Sequence, residues 1–462
     1  MAYAAIASAD HAVYWLDRPD RPAPRPELTG VGDADLVVVG AGFTGLWTAI
    51  EAKLAHPHWH VVCLDGGRIA TGGSGRNGGF MSHSLTHGLA NGVARWPDAM
   101  PELLRLGHAN LTAIFDRVRH FGIDADLHTA GEYTVAVEPH QVKQVQYLAA
   151  LAQRYGQDVQ LLDQDQMRAI VHSPTYLAGV LDPSIALMDP ARLAWGLAAA
   201  AEGLGIAIFE HTPVVRLSDR GSSVFVTARC GALTTARVAL ATNAYPPLLR
   251  RIAQYVVPVY DYVLMSEPLS QHQWDRIGWH SRSGMADAGN QFHYYRPTSD
   301  GRILWGGYDA IYHRGNGFGP QYEFDTHAFA GLAQRFQETF PDLTDLQFTH
   351  AWGGAIDTCS RFTTFWGTAH GGKTTYAAGF TGLGTGSSRF AALTMLDLLA
   401  GQETERTRLS MVRSKPIPFP GEPLRSIGID ITTRSLQAAD RHGGRRNLWL
   451  RTLDKLGMGF DS

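Results

Sequence analysis

The chain has 462 residues, of which 45% are hydrophobic, and its 40 Lys and Arg residues nearly balance 43 Asp and Glu residues. This size and apolar content allow a large core in two or three domains, whereas the net charge of −3 argues against nucleic-acid or anionic-membrane partners. No apolar run approaches the roughly 20 residues that span a bilayer, and Cys63, Cys230 and Cys359 lack disulfide or zinc-site spacing. We therefore expect a cytoplasmic protein without a bound metal.

The first predicted unit is a strand, a helix and a second strand that follow an arm. Residues 1–32 are rich in Pro and charge, which is typical of an extended segment. The βαβ unit occupies residues 35–65, because two short apolar runs flank a glycine turn and a helical stretch. A glycine-rich connection follows at 66–80, where the backbone can pass close to a flat or bulky group.

The turn inside the βαβ unit has the spacing G-x-G-x-x-G, at Gly40, Gly42 and Gly45. Gly40 permits a tight turn, Gly42 lets the backbone approach a pyrophosphate, and Gly45 lets the helix pack close to the strand. The N-terminus of that helix faces the phosphate charge. Asp65 ends the second apolar run, twenty residues after Gly45, where a carboxylate can accept hydrogen bonds from a ribose. Together these elements predict dinucleotide binding.

The middle of the chain predicts helices and then strands. Residues 101–171 have a mainly helical pattern, which a strand-like run at 132–137 interrupts. Asp189 is a suitable N-cap for the next helix, and Pro190 suits its first turn. Four strand-like runs follow between residues 206 and 242.

The last third of the chain predicts a second domain and then a return to the first. Long, aromatic-rich strand patterns at 256–264 and 292–308 suit an antiparallel sheet. Residues 374–401 have the pattern of a strand, a glycine loop and a helix that rejoin the first domain. The basic tail at 421–462 predicts a helix.

Four landmarks spread over the chain carry a family resemblance: VVVGAGFTGLWTA (37–49), SGRNGGF (74–80), VALATNAY (238–245) and AAGFTGLGTGSS (377–388). With them the chain resembles the D-amino-acid-oxidase-like (DAO) family of FAD-dependent amine oxidoreductases. The SGRNGG string is most similar to the gamma-glutamylputrescine oxidase branch.

The resemblance implies an α/β fold with two domains, in which a Rossmann-type FAD-binding domain is interleaved with an antiparallel-sheet substrate domain. The implied limits are 1–32 for the N-terminal arm, 33–95, 165–255 and 350–410 for the discontinuous FAD-binding domain, 96–164 and 256–349 for the substrate domain, and 411–462 for a C-terminal helical tail.

The resemblance also implies a non-covalently bound FAD. The glycine turn and Asp65 would hold its ADP half, residues 76–79 would lie near the flavin ring, and residues 382–385 would approach the pyrimidine edge. A glycine loop at a helix N-terminus can stabilise the negative charge that a flavin gains on reduction, although such a loop can also be a simple helix cap. The residues expected to bind the cofactor are Gly40, Gly42, Phe43, Thr44, Gly45, Asp65, Gly66, Ser74, Gly75, Arg76, Asn77, Gly78, Gly79, Val214, Thr242, Asn243, Gly354, Gly382, Leu383, Gly384 and Thr385.

Three departures from the family pattern narrow the expected chemistry. Ala355 or Ile356 stands where glycine oxidase and D-amino-acid oxidase carry an arginine for the substrate carboxylate, which argues against a simple α-amino acid. Trp305 stands where sarcosine oxidase carries a lysine that assists the reaction with oxygen. Gly353 or Gly354 stands where sarcosine oxidase forms its covalent flavin link.

The expected substrate-binding residues are mostly aromatic. Asp357 would suit a second ammonium group, or is a surface or turn aspartate. The aromatic side chains would form a wall for a cationic or apolar amine, or else are part of the sheet core. Strand alternation places Tyr294 on the opposite side from its two neighbours. The full set of expected substrate-binding residues is Tyr260, Tyr262, His293, Tyr295, Trp305 and Asp357.

The implied function is FAD-dependent oxidation of a primary or secondary amine to an imine, by hydride transfer to flavin N5, followed by hydrolysis. Reoxidation would use O2, giving H2O2, or another acceptor. No catalytic acid or base is assigned, because the flavin performs the difficult step. Two alternatives stay open: a dehydrogenase without oxidase activity, and a flavin-bearing subunit that is active only with a partner. The partner is expected to be a small-molecule amine, and the oligomeric state is left open.

Overall fold

A computed structural model describes residues 2–459, so residue 1 of the predicted arm and residues 460–462 of the predicted tail lie outside the described part. The strands are β1 (Gly30–Val39), β2 (Val61–Leu64), β3 (Phe80–Met81), β4 (His128–Thr129), β5 (Glu132–Ala136), β6 (Gln160–Leu162), β7 (Ala178–Asp182), β8 (Ala186–Leu187), β9 (Ala207–Phe209), β10 (Val214–Asp219), β11 (Val224–Ala228), β12 (Gly231–Leu240), β13 (Val257–Ser266), β14 (Gly284–Asp287), β15 (His293–Pro297), β16 (Ile303–Gly307), β17 (Ile311–Tyr312), β18 (Phe348–Thr358), β19 (Phe365–Ala369) and β20 (Thr374–Ala378).

The α-helices are α1 (Ala2–Ala5), α2 (Phe43–Ala55), α3 (Leu89–Arg95), α4 (Met100–His120), α5 (Gln141–Arg154), α6 (Gln164–Ile170), α7 (Pro190–Gly203), α8 (Gln271–Ile277), α9 (Thr326–Thr339), α10 (Gly384–Leu399), α11 (Glu405–Arg408), α12 (Ser410–Arg413), α13 (Leu424–Arg441) and α14 (Leu448–Lys455). The predicted βαβ unit and tail helices are therefore present. Asp189 accepts a hydrogen bond as the N-cap of α7, with Pro190 in its first turn, as predicted.

The first sheet has a parallel centre in the order β9-β2-β1-β12-β20. Its central strand ends in the fully buried run Leu36–Val39, because both faces of the sheet are covered. Leu36 and Val38 pack into the core that includes helices α2, α7 and α10. Val37 and Val39 pack on the other face, with the antiparallel strands β10, β11 and β19. This is the layered arrangement expected of a Rossmann-type domain.

A buried ion-pair cluster ties three helices of the first domain together. Glu51 of α2 accepts from Arg389 of α10 at 2.9 Å and from Arg117 of α4 at 3.3 Å. Because Glu51 and Arg389 are both buried, losing one partner would leave an uncompensated charge. The cluster holds α2 and α10 side by side, which brings their N-termini to the same region.

The second sheet is mixed, with the strand order β13-β16-β15-β14-β5-β7-β6. Strands β17 and β16 pair with successive parts of one edge of β13, and β18 pairs with its other edge. The pairs of this sheet are antiparallel except β5 with β14. Helix α9 packs on one face and closes an aromatic core there. The opposite face looks toward the first domain, since Val263, Leu304 and Trp352 belong to the core of that domain.

Strand pairing moves three of the predicted domain limits. Strands β7 and β18 hydrogen-bond within the second sheet, although the sequence placed 165–255 and 350–410 entirely in the first domain. Helix α4, predicted to lie in the substrate domain, packs its Leu103 and Ile114 into the core of the first domain. We propose limits that follow these pairings.

The N-terminal arm differs in part from the predicted extended segment, because it begins with helix α1 and turns, and its longest run without helix, strand or turn before β1 is 21–29. The arm is anchored to the second sheet. Asp10 forms a bridge with β18: its N–H donates to Thr349 O (2.8 Å) and its carbonyl accepts from Ala351 N–H (2.9 Å). The buried indole of Trp15 donates to Asn77 O at 3.1 Å. The arm thus braces the 66–80 connection against the second sheet. Within residues 2–459, no helix combines the length and apolarity that a membrane crossing requires.

Candidate functional site

The first glycine turn is shaped by close backbone contacts. Gly40 has φ of +96°, and a Cβ there would lie 2.4 Å from Ala241 O. A Cβ on Gly45 would lie 1.8 Å from Gly40 O, so only glycine lets α2 pack this close to β1. The strand-turn-helix predicted from the spacing is present.

The N-terminus of α2 is open toward the 66–80 connection. Its N-cap, Gly42, supplies no side-chain cap, and the N–H of Phe43 donates to Ser74 Oγ at 2.9 Å. Thr44 is buried in the first turn. The first N–H groups of a helix have no intrahelical acceptor and carry a partial positive charge, so this end of α2 can bind an anion such as a pyrophosphate.

Asp65 is held at the end of β2 beside the glycine turn. Its Oδ2 accepts from Ala41 N–H at 2.7 Å and its Oδ1 from Gly67 N–H at 2.9 Å. Burial raises the pKa of Asp65, and these two N–H groups oppose that rise. Gly66 lies against Pro213, which precedes Val214 of β10. Asp65, Gly66 and Val214 therefore lie at one end of the first sheet.

The 74–79 run is locked by its own side chains. Asn77 donates to the carbonyls of Gly73 (3.0 Å) and Ser74 (3.1 Å), and its Oδ1 accepts from Gly79 N–H (2.9 Å). Gly75 packs on Ala70 O, where a Cβ would come within 2.0 Å. A sequence rich in glycine thus gives a fixed loop rather than a flexible one.

Arg76 joins this loop to the second sheet. Its Nε donates to Thr71 O at 2.7 Å, and its Nη1 donates to Gly353 O at 2.8 Å and pairs with Glu323 at 2.9 Å. Its side chain lies against Gly354, where a Cβ would be 3.4 Å from Arg76 Cβ. Arg76 and Gly354, both predicted cofactor residues, are therefore neighbours.

The end of β12 approaches the same loop. Asn243, just after Thr242, has a left-handed backbone with φ of +48°. A Cβ on Gly73 would lie 3.4 Å from Asn243 Nδ2. These predicted residues therefore border the 66–80 connection.

The last glycine loop meets the 80–82 segment at the N-terminus of α10. Its N-cap, Leu383, provides no side-chain cap, and Gly384 begins the helix. Thr385 Oγ1 donates to Phe80 O, and a Cβ on Gly386 would lie 1.9 Å from Ser82 O. Gly382 has φ of +90°, and a Cβ added there would meet no described atom within 4 Å, so a flat group can lie directly against this loop.

Asp357 is turned into the protein, in contrast to the expectation of a second ammonium site. It is 1% exposed, and its Oδ2 accepts from Gly379 N–H at 2.7 Å. Burial raises the pKa of Asp357 to about 7, against hydrogen bonds from backbone N–H groups that include Phe380 and Thr381. The carboxylate therefore fixes the turn that precedes the last glycine loop.

The aromatic residues predicted to form a wall lie in the sheet core, the alternative role that the sequence left open. Tyr260, Tyr262, Tyr295 and Trp305 are almost fully buried in the core that α9 closes, on the face of the second sheet away from the glycine loops. His293 is buried there too, where its Nδ1 lies 2.6 Å from Asp287. Packing, which is the commoner role of strand aromatics, accounts for them.

Sequence reasoning missed two residues on the other face of the same strands. Tyr294 OH donates to Asp261 Oδ2 at 2.5 Å. A Cβ on Gly78 would lie 2.6 Å from the Tyr294 ring, so this pair adjoins the 74–79 loop. The alternation that separates Tyr294 from its neighbours was the available signal.

The chain is similar to known proteins over most of its length. The model of the FAD dependent oxidoreductase family, DAO, matches residues 35–398. The chain is 26% identical over 445 residues to probable oxidoreductase OrdL of Haemophilus influenzae, covering 93% of this chain and 97% of that protein. It is 28% identical over 419 residues to gamma-glutamylputrescine oxidoreductase of Escherichia coli, covering 88% and 93%. In fold it is similar to glycine oxidase from Geobacillus kaustophilus, with a TM-score of 0.69 and 20% identity over 84% of this chain and 100% of that one.

Proposed function

The chain belongs to the DAO family of FAD-dependent oxidoreductases, and on that premise we propose that it oxidises an amine whose reacting carbon bears no carboxylate. It is an FAD-dependent oxidoreductase of the class that acts on amines and amino acids. The proposal concerns which of these substrates it takes and which residues hold the cofactor.

The described residues fit an FAD molecule. Neither α2 nor α10 is capped by the side chain of its own N-cap residue, and the open space at Gly382 admits a flat group. We assign the ADP half to the predicted residues of 40–45 with Asp65, and the flavin to those of 74–79 and 382–385. When bound, FAD would supply a hydride acceptor at N5 for the α-carbon of a neutral amine, and the resulting iminium ion would lose a proton to give the imine that water hydrolyses. We further propose that FAD is held without a covalent link.

The main support for this proposal is that the arginines beside the 74–79 loop already form hydrogen bonds and an ion pair within the protein. Arg76 is paired with Glu323 and bound to two carbonyls. Arg296 is 1% exposed and donates to Gly78 O and Met188 O at 2.7 Å each through Nε and Nη2, while its Nη1 is buried without a hydrogen-bond partner among the described residues. A substrate carboxylate is gripped by a free guanidinium fork, and neither arginine presents one.

The acidic side chain on this face favours a cationic amine instead. Asp261 and Tyr294 place a carboxylate and a hydroxyl, rather than a cation, beside the 74–79 loop. Similarity to gamma-glutamylputrescine oxidoreductase supports a primary amine with an acylated, polar extension. The reduced cofactor would pass its electrons to O2, giving H2O2, or to another acceptor.

The test is anaerobic reduction of the flavin, followed by admission of air. Heat denaturation of the purified protein should release FAD into the supernatant. γ-Glutamylputrescine and n-butylamine should bleach the flavin absorbance, whereas glycine and D-alanine should not. H2O2 on admission of air would indicate an oxidase, and a persistently reduced flavin would indicate a dehydrogenase. Faster reduction by glycine or D-alanine than by either amine would refute the proposal.

A further inference from the structure

Asp261 lies on the part of the second sheet that abuts the proposed flavin loop. In the β13–β18 pairing it stands directly opposite Gly354. Because residues paired across two strands share a face, and because Gly354 has no side chain, the aliphatic part of Arg76 fills the adjacent space. Asp261 therefore faces the 74–79 loop and not the aromatic core that holds its neighbours Tyr260 and Tyr262.

The Asp261 carboxylate is oriented but not saturated. Oδ2 accepts from Tyr294 OH at 2.5 Å, and Oδ1 accepts from Tyr262 N–H at 2.9 Å. A further backbone donor comes from Gly307. An ionised carboxylate can accept about four hydrogen bonds, so room is left for a donor from a ligand.

The charged groups around Asp261 leave the region negative. Arg76 is matched by Glu323 at 2.9 Å, and Asp309 by Arg335 at 3.5 Å. Burial raises the pKa of Asp261 to about 6, with Asp309 adding to the rise and the Tyr294 hydroxyl opposing it. Among the hydrogen bonds and ion pairs of residues 2–459, no cationic side chain contacts Asp261 directly. We therefore expect its partner to be a cation that arrives from solution.

We propose that Asp261, held in place by Tyr294, binds the substrate as an ammonium ion and takes its proton, so that the enzyme acts on cationic amines. This inference rests on the proposed function, because it concerns the same site. It adds a proton acceptor that the family's flavin chemistry does not itself supply.

The step is a simple proton transfer. The N–H bond of the ammonium breaks, an O–H bond forms on Asp261, and nitrogen keeps the electron pair, so nothing is oxidised or reduced. In water the transfer is uphill, since an alkylammonium has a pKa of about 10. Desolvation narrows the difference between the pKa of the ammonium and the pKa of the Asp261 carboxyl, because it destabilises the charged form of each group. The neutral amine that results is the form that can lose a hydride.

The test compares FAD-loaded wild type with Asp261→Asn and with Asp287→Asn as a matched control. Asp287 is also an aspartate beside a tyrosine hydroxyl, at 3.3 Å from Tyr295 OH, but it lies on the core face, where His293 Nδ1 is 2.6 Å away. The rate constant for anaerobic flavin reduction, divided by the apparent Kd, is measured from pH 5 to pH 10 with n-butylamine and γ-glutamylputrescine.

For wild type and Asp287→Asn, this ratio should fall below about pH 6 and stay constant at higher pH, because the ionised Asp261 carboxylate accepts the proton. Asp261→Asn should react only with neutral amine from solution, so its rate should climb about tenfold per pH unit toward the pKa of the amine. At pH 7.5 we expect a loss of about a hundredfold or more.

Ammonium binding gives a second readout that does not depend on turnover. tert-Butylamine has no α C–H bond and cannot be oxidised, so its binding at pH 7.5 can be followed by the change in flavin absorbance. Asp261→Asn should bind it about tenfold to a hundredfold more weakly than wild type and Asp287→Asn, since a hydrogen bond to a charged group is lost.

Two results separate failure of this inference from failure of the proposed function. If the amines reduce wild type but Asp261→Asn keeps the wild-type pH profile and tert-butylamine affinity, the inference is overturned and the proposed function stands. If no amine reduces wild type although FAD is bound, both are overturned.

Discussion

The two faces of the second sheet carry the same kinds of residue with opposite consequences. Tyr295 is fully buried and its hydroxyl meets Tyr176 OH at 2.8 Å, inside an aromatic core. Tyr294, one position earlier, donates to Asp261 beside the proposed flavin loop. Successive strand residues point to opposite sides, so a shift of one position separates a residue that stabilises the fold from one that serves the site.

Residue type alone therefore does not mark this site. The core face is richer in aromatics than the site face, and α9 packs over it. On the site face, the Tyr294–Asp261 pair adjoins the 74–79 glycine loop. Substitutions on the two faces should therefore affect different measurements.

The largest effect on the free energy of unfolding is expected from a substitution on the core face. Trp305 is fully buried and lies 4.4 Å from the Tyr295 ring and 4.7 Å from the His293 ring, between centroids. Trp305→Ala should lower the free energy of unfolding by about 3–5 kcal/mol, because it opens a large cavity. Urea unfolding of the FAD-loaded protein measures the change.

Trp305→Phe is the matched control. It keeps most of the ring volume and removes an indole N–H that has no partner among the described residues, so it should cost clearly less. The folded fraction of either variant should keep the wild-type pH profile of flavin reduction. A shifted pH profile would mean that the two faces are not separate in function. Equal stability of Trp305→Ala and wild type would mean that Trp305 does not stabilise the core face.

The parts predicted well from sequence are those fixed by local chemistry. Gly40 and Gly45 are required by contacts within one βαβ unit, and Asp189 caps the helix that begins at the next residue. The parts missed depend on distant segments. Strand β18 joins the second sheet through pairing with β13, roughly ninety residues earlier, and no local pattern specifies that choice of partner.

Asp357 illustrates the same limit at a single side chain. Its place next to the position of the missing arginine indicated a site residue, but the N–H of Gly379, some twenty residues later, accounts for its position. The family resemblance located the glycine loops, whereas the burial of each strand face had to come from the structure.

An intermediate effect on the pH dependence of stability is expected from the buried carboxylate of Asp357 on β18. The folded-state pKa of Asp357 is raised to about 7 from 3.8, so between these values the folded protein holds a proton that the unfolded chain has released. The contribution of Asp357 to stability therefore falls as pH rises through this window and levels off above it. Asp357→Asn should flatten that slope, by at most about 1.4 kcal/mol per pH unit.

Urea midpoints of the FAD-loaded protein from pH 4.5 to pH 8 give the measurement. An asparagine oxygen can still accept from Gly379 N–H, so the turn should persist. The exposed Asp275→Asn serves as the control and should leave the slope as it is. An unchanged slope in Asp357→Asn would show that its carboxylate is solvated, contrary to its 1% exposure.

The smallest effect comes from the most direct comparison, the removal of one hydroxyl from each face. Tyr295→Phe deprives Tyr176 and Asp287 of a buried partner, so it should lower the free energy of unfolding by about 1–3 kcal/mol. The pH profile of flavin reduction should stay where it is, since that hydroxyl faces the core.

Tyr294→Phe should do the reverse. Its hydroxyl donates to the ionised Asp261 and so lowers the pKa of that carboxyl. Without it the pKa rises further, and because the ionised form is the proposed proton acceptor, the acidic limb of flavin reduction should move to higher pH, by about one unit or less. Reduction by n-butylamine across pH 5–8 detects such a shift. A limb that moves in Tyr295→Phe and stays fixed in Tyr294→Phe would reverse the assignment of the two faces.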